Sequence, residues 1–303
     1  MHNVELLAPA KDLLEIKSVI ESGADAVYIS YRKEDEFWDD VNEGTKFVHE
    51  NNKKIYVALN LVPHNKDIKN IEENLIKLEQ HNIDALIITD PGMLTITKNI
   101  VPNMEIHLSD QANTTNYITA NFWYNQGVKR IIVSKELSCE EIGTIRVKSP
   151  IDMDIETYVH GAMAISHSGR YLLTNFIKGK SENKVQASSE IKYNLVEEKR
   201  QGEFYPVCED ERGTFFFNSK ELCMIEYIPN LIKCGITSFK IEGRLMDSKY
   251  ISEVVNAYRI AIDEFYKNPN EWTLDKERIE YLKELSKREF TSGFYLNEPS
   301  SEE

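Results

Sequence analysis

Cysteine is scarce in this sequence and poorly spaced for binding metal. Cys139, Cys208, Cys223 and Cys234 are scattered over 303 positions with no Cys-x-x-Cys pair. That spacing excludes a zinc-finger signature and a disulfide framework, and leaves reduced, mostly buried thiols as the expectation. Positive charge is short as well: 36 Lys and Arg face 50 Asp and Glu, a net charge of −14. A broad nucleic-acid-binding face is excluded, because phosphate binding needs a concentrated positive surface, although a local one is not. Arg170, Lys178, Lys180, Lys184 and Lys192 form the best local stripe, interrupted by Glu182 and Glu190; a solvated loop is the competing reading. No apolar run is long enough to cross a bilayer, and the first residues lack the charged-then-apolar pattern of a signal peptide. A cytoplasmic protein with no membrane partner is expected. Also missing are Gly-x-Gly-x-x-Gly after the first apolar run, His-Glu-x-x-His and Gly-x-Ser-x-Gly. Their absence disfavours a dinucleotide fold, a zinc peptidase and a nucleophile-elbow hydrolase.

What the chain does have is a steady beat of short apolar runs and amphipathic stretches. Strands are predicted at 5–8, 26–29, 54–60, 85–90, 105–109, 130–134 and 155–160, each followed by a helical pattern or by the central stretch described below. These runs are nearly continuous in apolar residues, as expected of parallel strands buried on both faces. Residues 178–212 read as a less regular, charged section. Thr214–Phe217 is apolar, 221–233 is predicted helical, and 238–242 is an eighth strand before a long helix at 250–266. The whole reads as an α/β protein, a TIM-like (β/α)8 barrel with an insertion before the last strand. The barrel occupies 1–268 with the insertion at about 162–235, and 269–303 is an extension packed on it. An open doubly wound sheet is the competing architecture.

Pocket chemistry is densest at 155–176, IETYVHGAMAISHSGRYLLTNF, where small residues sit among His160, His167 and Arg170. A buried turn with satisfied polar groups is the bland alternative. In a (β/α)8 barrel the active site lies at the C-terminal ends of the strands. Those ends carry Asn60, Asp90, His107 with Gln111 and Asn113 beyond it, Lys135 with Glu136, His160, and Lys240, Glu242 and Arg244. Glu136 and Glu242 are candidate acid and base, and His107 and His160 candidate proton shuttles. Lys135 and Arg244 are candidate anchors for a carboxylate or phosphate. Catalytic candidates are therefore His107, Gln111, Glu136, His160, Glu242 and Arg244. Candidates for substrate binding are Asn60, Asp90, Asn113, Lys135, His167, Arg170 and Lys240. For each residue taken alone, a salt bridge or strand-end cap competes. A serine nucleophile at Ser168 beside His167 is disfavoured because adjacent side chains diverge, and a metal held by His107, His160 and Glu242 is a minor alternative.

Several segments in order carry a family resemblance: ELLAPAKD, GADAVYIS, ITDPGML, EIHLSDQANTTN, SKELSCEEI, YVHGAMAISHSGRYLLTNF, GTFFFNSKELCMIEYIP and FKIEGRLMDSKYISEVVNAYRIAID. The chain resembles the U32 peptidase-like (collagenase-like) family from about residue 5 to 295. The resemblance implies a TIM-barrel catalytic domain and two competing activities. One is the older label, a hydrolase or protease. The other is oxygen-independent hydroxylation of tRNA wobble uridine, ribosomal RNA or a quinone precursor, with a four-iron four-sulfur cluster. The family pattern has cysteines where Ala164 and Tyr171 stand here, and a further cysteine segment where 184–192 stands; only Cys223 keeps a ligand position. The expectation is therefore no metal and no cofactor, with the family's iron–sulfur cluster lost. A cluster rebuilt from Cys139, Cys208, Cys223 and Cys234 is the alternative. Asp110 stands where the family has threonine, His167 where it has tyrosine, and the small C-terminal domain of longer relatives is missing. These departures imply a partner subunit beside a cluster-bearing U32 paralogue, with tRNA or other RNA as a further partner. A cluster-independent peptidase and a non-catalytic binding barrel are the alternatives.

Overall fold

The protein is described by a computed structural model covering residues 3–60, 63–178, 188–210 and 213–296. Strands and helices alternate as β1 (Glu5–Ala10), α1 (Leu13–Glu21), β2 (Ala26–Ser30), α2 (Asp35–Glu50), β3 (Lys54–Leu59), α3 (Ile68–Gln80), β4 (Ala85–Ile88) and α4 (Pro91–Ile100). The alternation continues with β5 (Glu105–Leu108), α5 (Tyr117–Asn125), β6 (Arg130–Ile132), α6 (Cys139–Lys148) and β7 (Asp154–Gly161). Then come β8 (Ala164–Ser168), α7 (Leu172–Lys178), β9 (Ser188–Val196), β10 (Phe204–Asp210), β11 (Gly213–Phe217), β12 (Glu221–Cys223) and α8 (Ile228–Lys233). The chain ends with β13 (Ser238–Ile241), α9 (Ser248–Lys267), α10 (Lys276–Leu285) and β14 (Phe290–Thr291).

β1 to β7 pair in sequence order, all parallel, and β13 pairs with both β7 and β1. The eight strands thus close a (β/α)8 barrel, as the alternation predicts. Apolar runs such as β4 (ALII) are buried at every position because the barrel interior covers one face and the helices cover the other. Caps start several helices just past the strand ends. Asp12, Asp90, Asn116 and Ser138 each accept a hydrogen bond from a backbone N–H of the first helical turn, satisfying donors the helix leaves free.

The barrel floor is ionic. Arg130 on β6 lies 3.0 Å from Glu156 on β7 and is also paired with Glu5 on β1. Ser238 donates to Glu156 at 2.9 Å. Burial raises the Glu5 carboxyl, but Arg130 and hydrogen bonds from Arg130 and Tyr56 outweigh it and hold it down at about 2.

The insertion folds as its own antiparallel sheet, ordered β8-β11-β10-β9. Here two expectations give way. The charged section 178–212 is more regular than its composition implies: β9 and β10 run through it, paired from Phe204↔Val196. Residues 193–196 (YNLV) are all exposed, so this part of β9 lacks the in-and-out alternation of a half-buried strand. The helix expected over 221–233 begins only at Ile228. Glu221–Cys223 instead extends as β12, antiparallel to β7 with Cys223 opposite His160. Beyond α9, Arg278 of α10 pairs with Glu264 at 2.9 Å, and β14 joins β12. The Tyr295 hydroxyl donates to the Tyr158 carbonyl at 2.7 Å, so the C-terminal segment packs on the barrel.

Candidate functional site

The C-terminal ends of the barrel strands open into a cavity of about 810 Å³. Tyr28, Asn60, Asp110, Gln111, Lys135 and Tyr158 form its barrel wall; Lys240, Glu242 and Arg244 continue it, and the insertion adds Ala164 and Phe215. Two layers of contact fix these groups. The deeper one is built on Lys240, whose ammonium lies 3.5 Å from Glu156 of the floor and 4.2 Å from the ring centre of Tyr28. The Tyr28 hydroxyl donates to the Ile241 carbonyl at 3.1 Å. The upper layer is the Asp110–Lys135 pair at 2.7 Å. Lys135 also donates to the Ala164 carbonyl at 3.3 Å, and the Tyr158 hydroxyl donates to Asp110 at 3.3 Å.

On the insertion side, Phe215 lies between two groups. Its ring stacks on His167 at 4.3 Å and 16°, and the Arg244 guanidinium lies 4.1 Å from its centre. The Arg244 backbone N–H donates to Glu242 at 2.8 Å. One sheet of the insertion thereby aims an arginine from the loop after β13 into the barrel mouth.

Electrostatics fix the protonation of this wall. Burial raises the Tyr28 and Tyr158 phenols, and the Glu242 and Asp110 carboxylates raise them further, so both stay neutral hydrogen-bond donors. Burial also pushes the Asp110 carboxyl up, but Lys135 outweighs it and the net shift is down. Lys135 ends above the usual lysine range, its burial more than offset by Asp110. The pair stays ionised through neutral pH. Five cations (Lys11, Arg32, Lys135, Lys240, Arg244) and five carboxylates (Glu15, Glu34, Asp110, Asp210, Glu242) line the cavity. The mouth is therefore balanced in charge on a chain of net −14. Such a wall can orient a polar ligand through neutral phenols and set its negative charge against Lys135, Lys240 or Arg244.

Of the candidates from the sequence, Asn60, Gln111, Lys135, Lys240, Glu242 and Arg244 converge on this cavity. The others do not reach its wall. His107 lies lower in the barrel, fully buried, edge-on to Tyr56 and 2.9 Å from Glu105. β5 continues to Leu108, and the mouth is reached only at Asp110. Burial and Arg130 push the His107 imidazole down, against Glu105. His160 is turned outward by a register shift: Lys240 faces Tyr158, but Ile241 faces His160. The extra residue in β7 reverses the side-chain alternation, and His160 meets Glu221 at 3.0 Å and Tyr250 of α9 at 3.2 Å. Asp90 is the cap of α4. Asn113 takes a left-handed conformation after a short 3-10 turn. Glu136 is exposed and accepts from Ser134. His167 stands behind Phe215, and Arg170 lies in an exposed turn. Lys180 and Lys184 of the basic stripe lie outside the described residues.

Sequence reasoning missed Tyr28, Tyr158 and the Asp110–Lys135 pairing. Strand parity carried the signal for the tyrosines: counting by twos along β7 from the inward Glu156 gives Tyr158.

An iron–sulfur cluster needs several converging thiolates. Cys208 is buried with Ala162, Phe215 and Phe217 in the insertion. Cys223 is buried beside His160. Cys139 opens α6 and Cys234 follows α8, both half-buried. Ala164 puts a methyl group on the cavity wall, and Tyr171 is exposed. Among the described residues no three His, Cys, Asp or Glu side chains gather as a metal site. These residues do not fit a cluster.

Comparison with known proteins adds the following. The chain matches the family described as Peptidase family U32 over residues 11–303. It is 32% identical to tRNA hydroxylation protein P1 of Bacillus subtilis, covering 99% of this chain and 72% of that protein. It is 31% identical to tRNA hydroxylation protein P2 of the same organism, covering 98% of this chain and 99% of that protein. A protein of Methanocaldococcus jannaschii named uncharacterized protease MJ0090 is 35% identical, covering 97% of this chain and 74% of that protein. Among solved structures, the U32 peptidase Mk0906 has the same fold, with a TM-score of 0.51 at 11% identity over 80% of this chain and 93% of that one.

Proposed function

The chain belongs to peptidase family U32, and from that we propose that it acts in oxygen-independent hydroxylation of RNA, of the tRNA wobble-uridine type, as the cluster-poor partner of a paralogue. One observation carries the reading. The cavity has a polar wall, and Ala164 adds a methyl group to it, at a position where the family resemblance implies a cluster cysteine. The wall binds and orients; the electron-transfer chemistry belongs to the partner. The relatives are in keeping with a pair, since P1 and P2 of one organism both resemble this chain, and the match spans 99% of P2.

In this mechanism the chain's own groups do three things. Lys135, Lys240 and Arg244 hold negative charge on the ligand. Tyr28 and Tyr158, kept neutral, have their protons committed to the Ile241 carbonyl and to Asp110, and so present their oxygen lone pairs to the ligand as acceptors. Phe215 of the insertion and Leu245 of the loop after β13 line the mouth with apolar surface and limit the access of water.

A peptidase reading is not favoured by the wall. No histidine or cysteine lines the cavity, so among the described residues a nucleophile there lacks an imidazole base.

Deleting the gene tests the proposal, with hydroxylated uridine in bulk tRNA measured by liquid chromatography and mass spectrometry. Loss of that nucleoside is expected, restored by the wild-type gene and not by Arg244→Ala. Unchanged hydroxylation in the deletion strain would overturn it. Affinity purification from the same cells should bring down a second U32 protein carrying the cysteines absent here.

A further inference from the structure

We propose that the Arg244 guanidinium is a stacking shelf for a nucleobase, backed by Phe215 at the mouth of the cavity. This rests on the RNA reading above and names the group that receives the base. An aromatic column stands behind the arginine. Phe215 on β11 lies directly opposite His167 on β8, so both side chains leave the same face of the insertion sheet. Their rings stack at 4.3 Å and 16°, and Phe217, two residues on, lies beside Phe215 at 6.5 Å and 27°. Arg244 caps the column, 4.1 Å from the centre of Phe215 and 5.8 Å from that of Phe217. A planar cation held over a ring gives that ring one face and keeps the other. Arg244 also lines the cavity, and the second face is what it offers there.

Charge pairing sets Arg244 apart from the other cations of the cavity. Lys11 is paired with Glu15, Arg32 with Asp40, Lys135 with Asp110 and Lys240 with Glu156. Among the described residues the Arg244 guanidinium makes no hydrogen bond or ion pair, and only its backbone N–H is engaged, toward Glu242.

The backbone is strained to hold this arrangement. The Met246 N–H donates to the Gly243 carbonyl at 3.1 Å, closing a turn with Arg244 and Leu245 at its corner. Leu245 takes φ +73°, whereas the other non-glycine residues at positive φ among those described are asparagines. Asparagine tolerates that region and leucine does not. Leu245 is kept there from two sides: it packs on the cluster of Phe215 and Phe217, and Gly243 is pressed on β1, where a Cβ would lie 2.4 Å from Cγ of Pro9. Strain of this kind persists where surrounding contacts over-determine it, as at ligand clamps. A nucleotide uses both properties of the shelf. Its base stacks on the free face, and its phosphate takes the in-plane N–H groups. A cavity of about 810 Å³ has room for both.

The test titrates the purified full chain with uridine 5′-monophosphate and, separately, with ribose 5-phosphate, which keeps the sugar and phosphate and lacks the base. Ligand-observed NMR gives both affinities. Uridine monophosphate is expected to bind at least about tenfold tighter, with saturation transferred to its base protons. Arg244→Lys keeps the charge and loses the plane; it should remove that preference while ribose 5-phosphate binding stays within about threefold. Thermal melting checks that the variant is folded, and the wild-type comparison stands without it. The proposal is overturned if the wild type binds both probes equally or binds neither, or if folded Arg244→Lys keeps the tenfold preference. The deletion strain reports on the RNA reading and these titrations on the shelf, so the two fail separately.

Discussion

Asp110 and Lys135 show how one ion pair sets the shape of the mouth. Both side chains are largely buried, so removing one charge strands the other. Lys135→Met is expected to cost about 2–3 kcal/mol of stability, read by urea denaturation, because an uncompensated buried carboxylate remains. Asp110→Asn in the same chain should recover part of that loss. A double variant no more stable than the single one would mean the pair does not hold this wall. His160 makes a separate prediction. Burial pulls its imidazole down, but Cys223 and Glu221 outweigh burial and raise it from the ordinary 6.5 to about 9. A raised pKa means the folded state binds the proton more tightly than the unfolded chain. Its contribution, on the order of 3 kcal/mol, is fully present below about pH 6.5 and is lost as pH rises through 9. The denaturation midpoint should fall between pH 7 and 10 in the wild type and fall less in His160→Gln. Lys135 and His160 stand out in the sequence as polar groups near strand ends. Their partners do not, because Glu221 lies 61 positions from His160 and the pairing exists only once β12 has found β7.

The end of β7 decides which residues face the cavity. Tyr158 points in and His160 points out because of the one-residue shift between them. Gly161 then bends the chain with φ +121°, and a Cβ there would lie 2.2 Å from the Glu242 carbonyl. Gly161→Ala is therefore expected to destabilise by about 2–4 kcal/mol through left-handed strain and a backbone clash. It should also move Glu242 and weaken function more than stability alone explains. Full activity at normal stability would show that the close approach of β7 to the loop after β13 does not matter. The eight barrel strands were legible because each is an apolar run flanked by helical spacing, from AVYI in β2 to ALII in β4. The bulge was not, since a register shift leaves no mark on composition. Nor was the insertion sheet, whose strand β9 is exposed at 193–196 and mixes charge with apolar side chains. Half of the proposed site thus followed from a simple rule, that polar residues at strand ends share one face. The other half failed where the strand ran a residue longer, as at His107, or where a side chain served as a cap, as at Asp90.

Across the whole molecule, the surplus of negative charge and the balanced mouth act in opposite directions. A chain of net −14 repels a polyanion at long range, so on the proposed pairing an RNA substrate is expected to depend on the cluster-bearing paralogue for its docking. In electrophoretic mobility shifts this chain alone should bind tRNA at least about tenfold more weakly than the co-purified pair. Equal binding by the lone chain would contradict that division of labour. Closure of the barrel has a further consequence. β1 pairs with β13 from Glu5↔Ser238, and the Ser238 hydroxyl reaches Glu5 across 233 positions of sequence. During synthesis the first strand emerges long before the strand that completes its hydrogen bonds. Until then β1 and β7 are open edges with unpaired main chain. Folding must end with a late, non-local zipper, which makes it slow and leaves the nascent chain reliant on protection from aggregation.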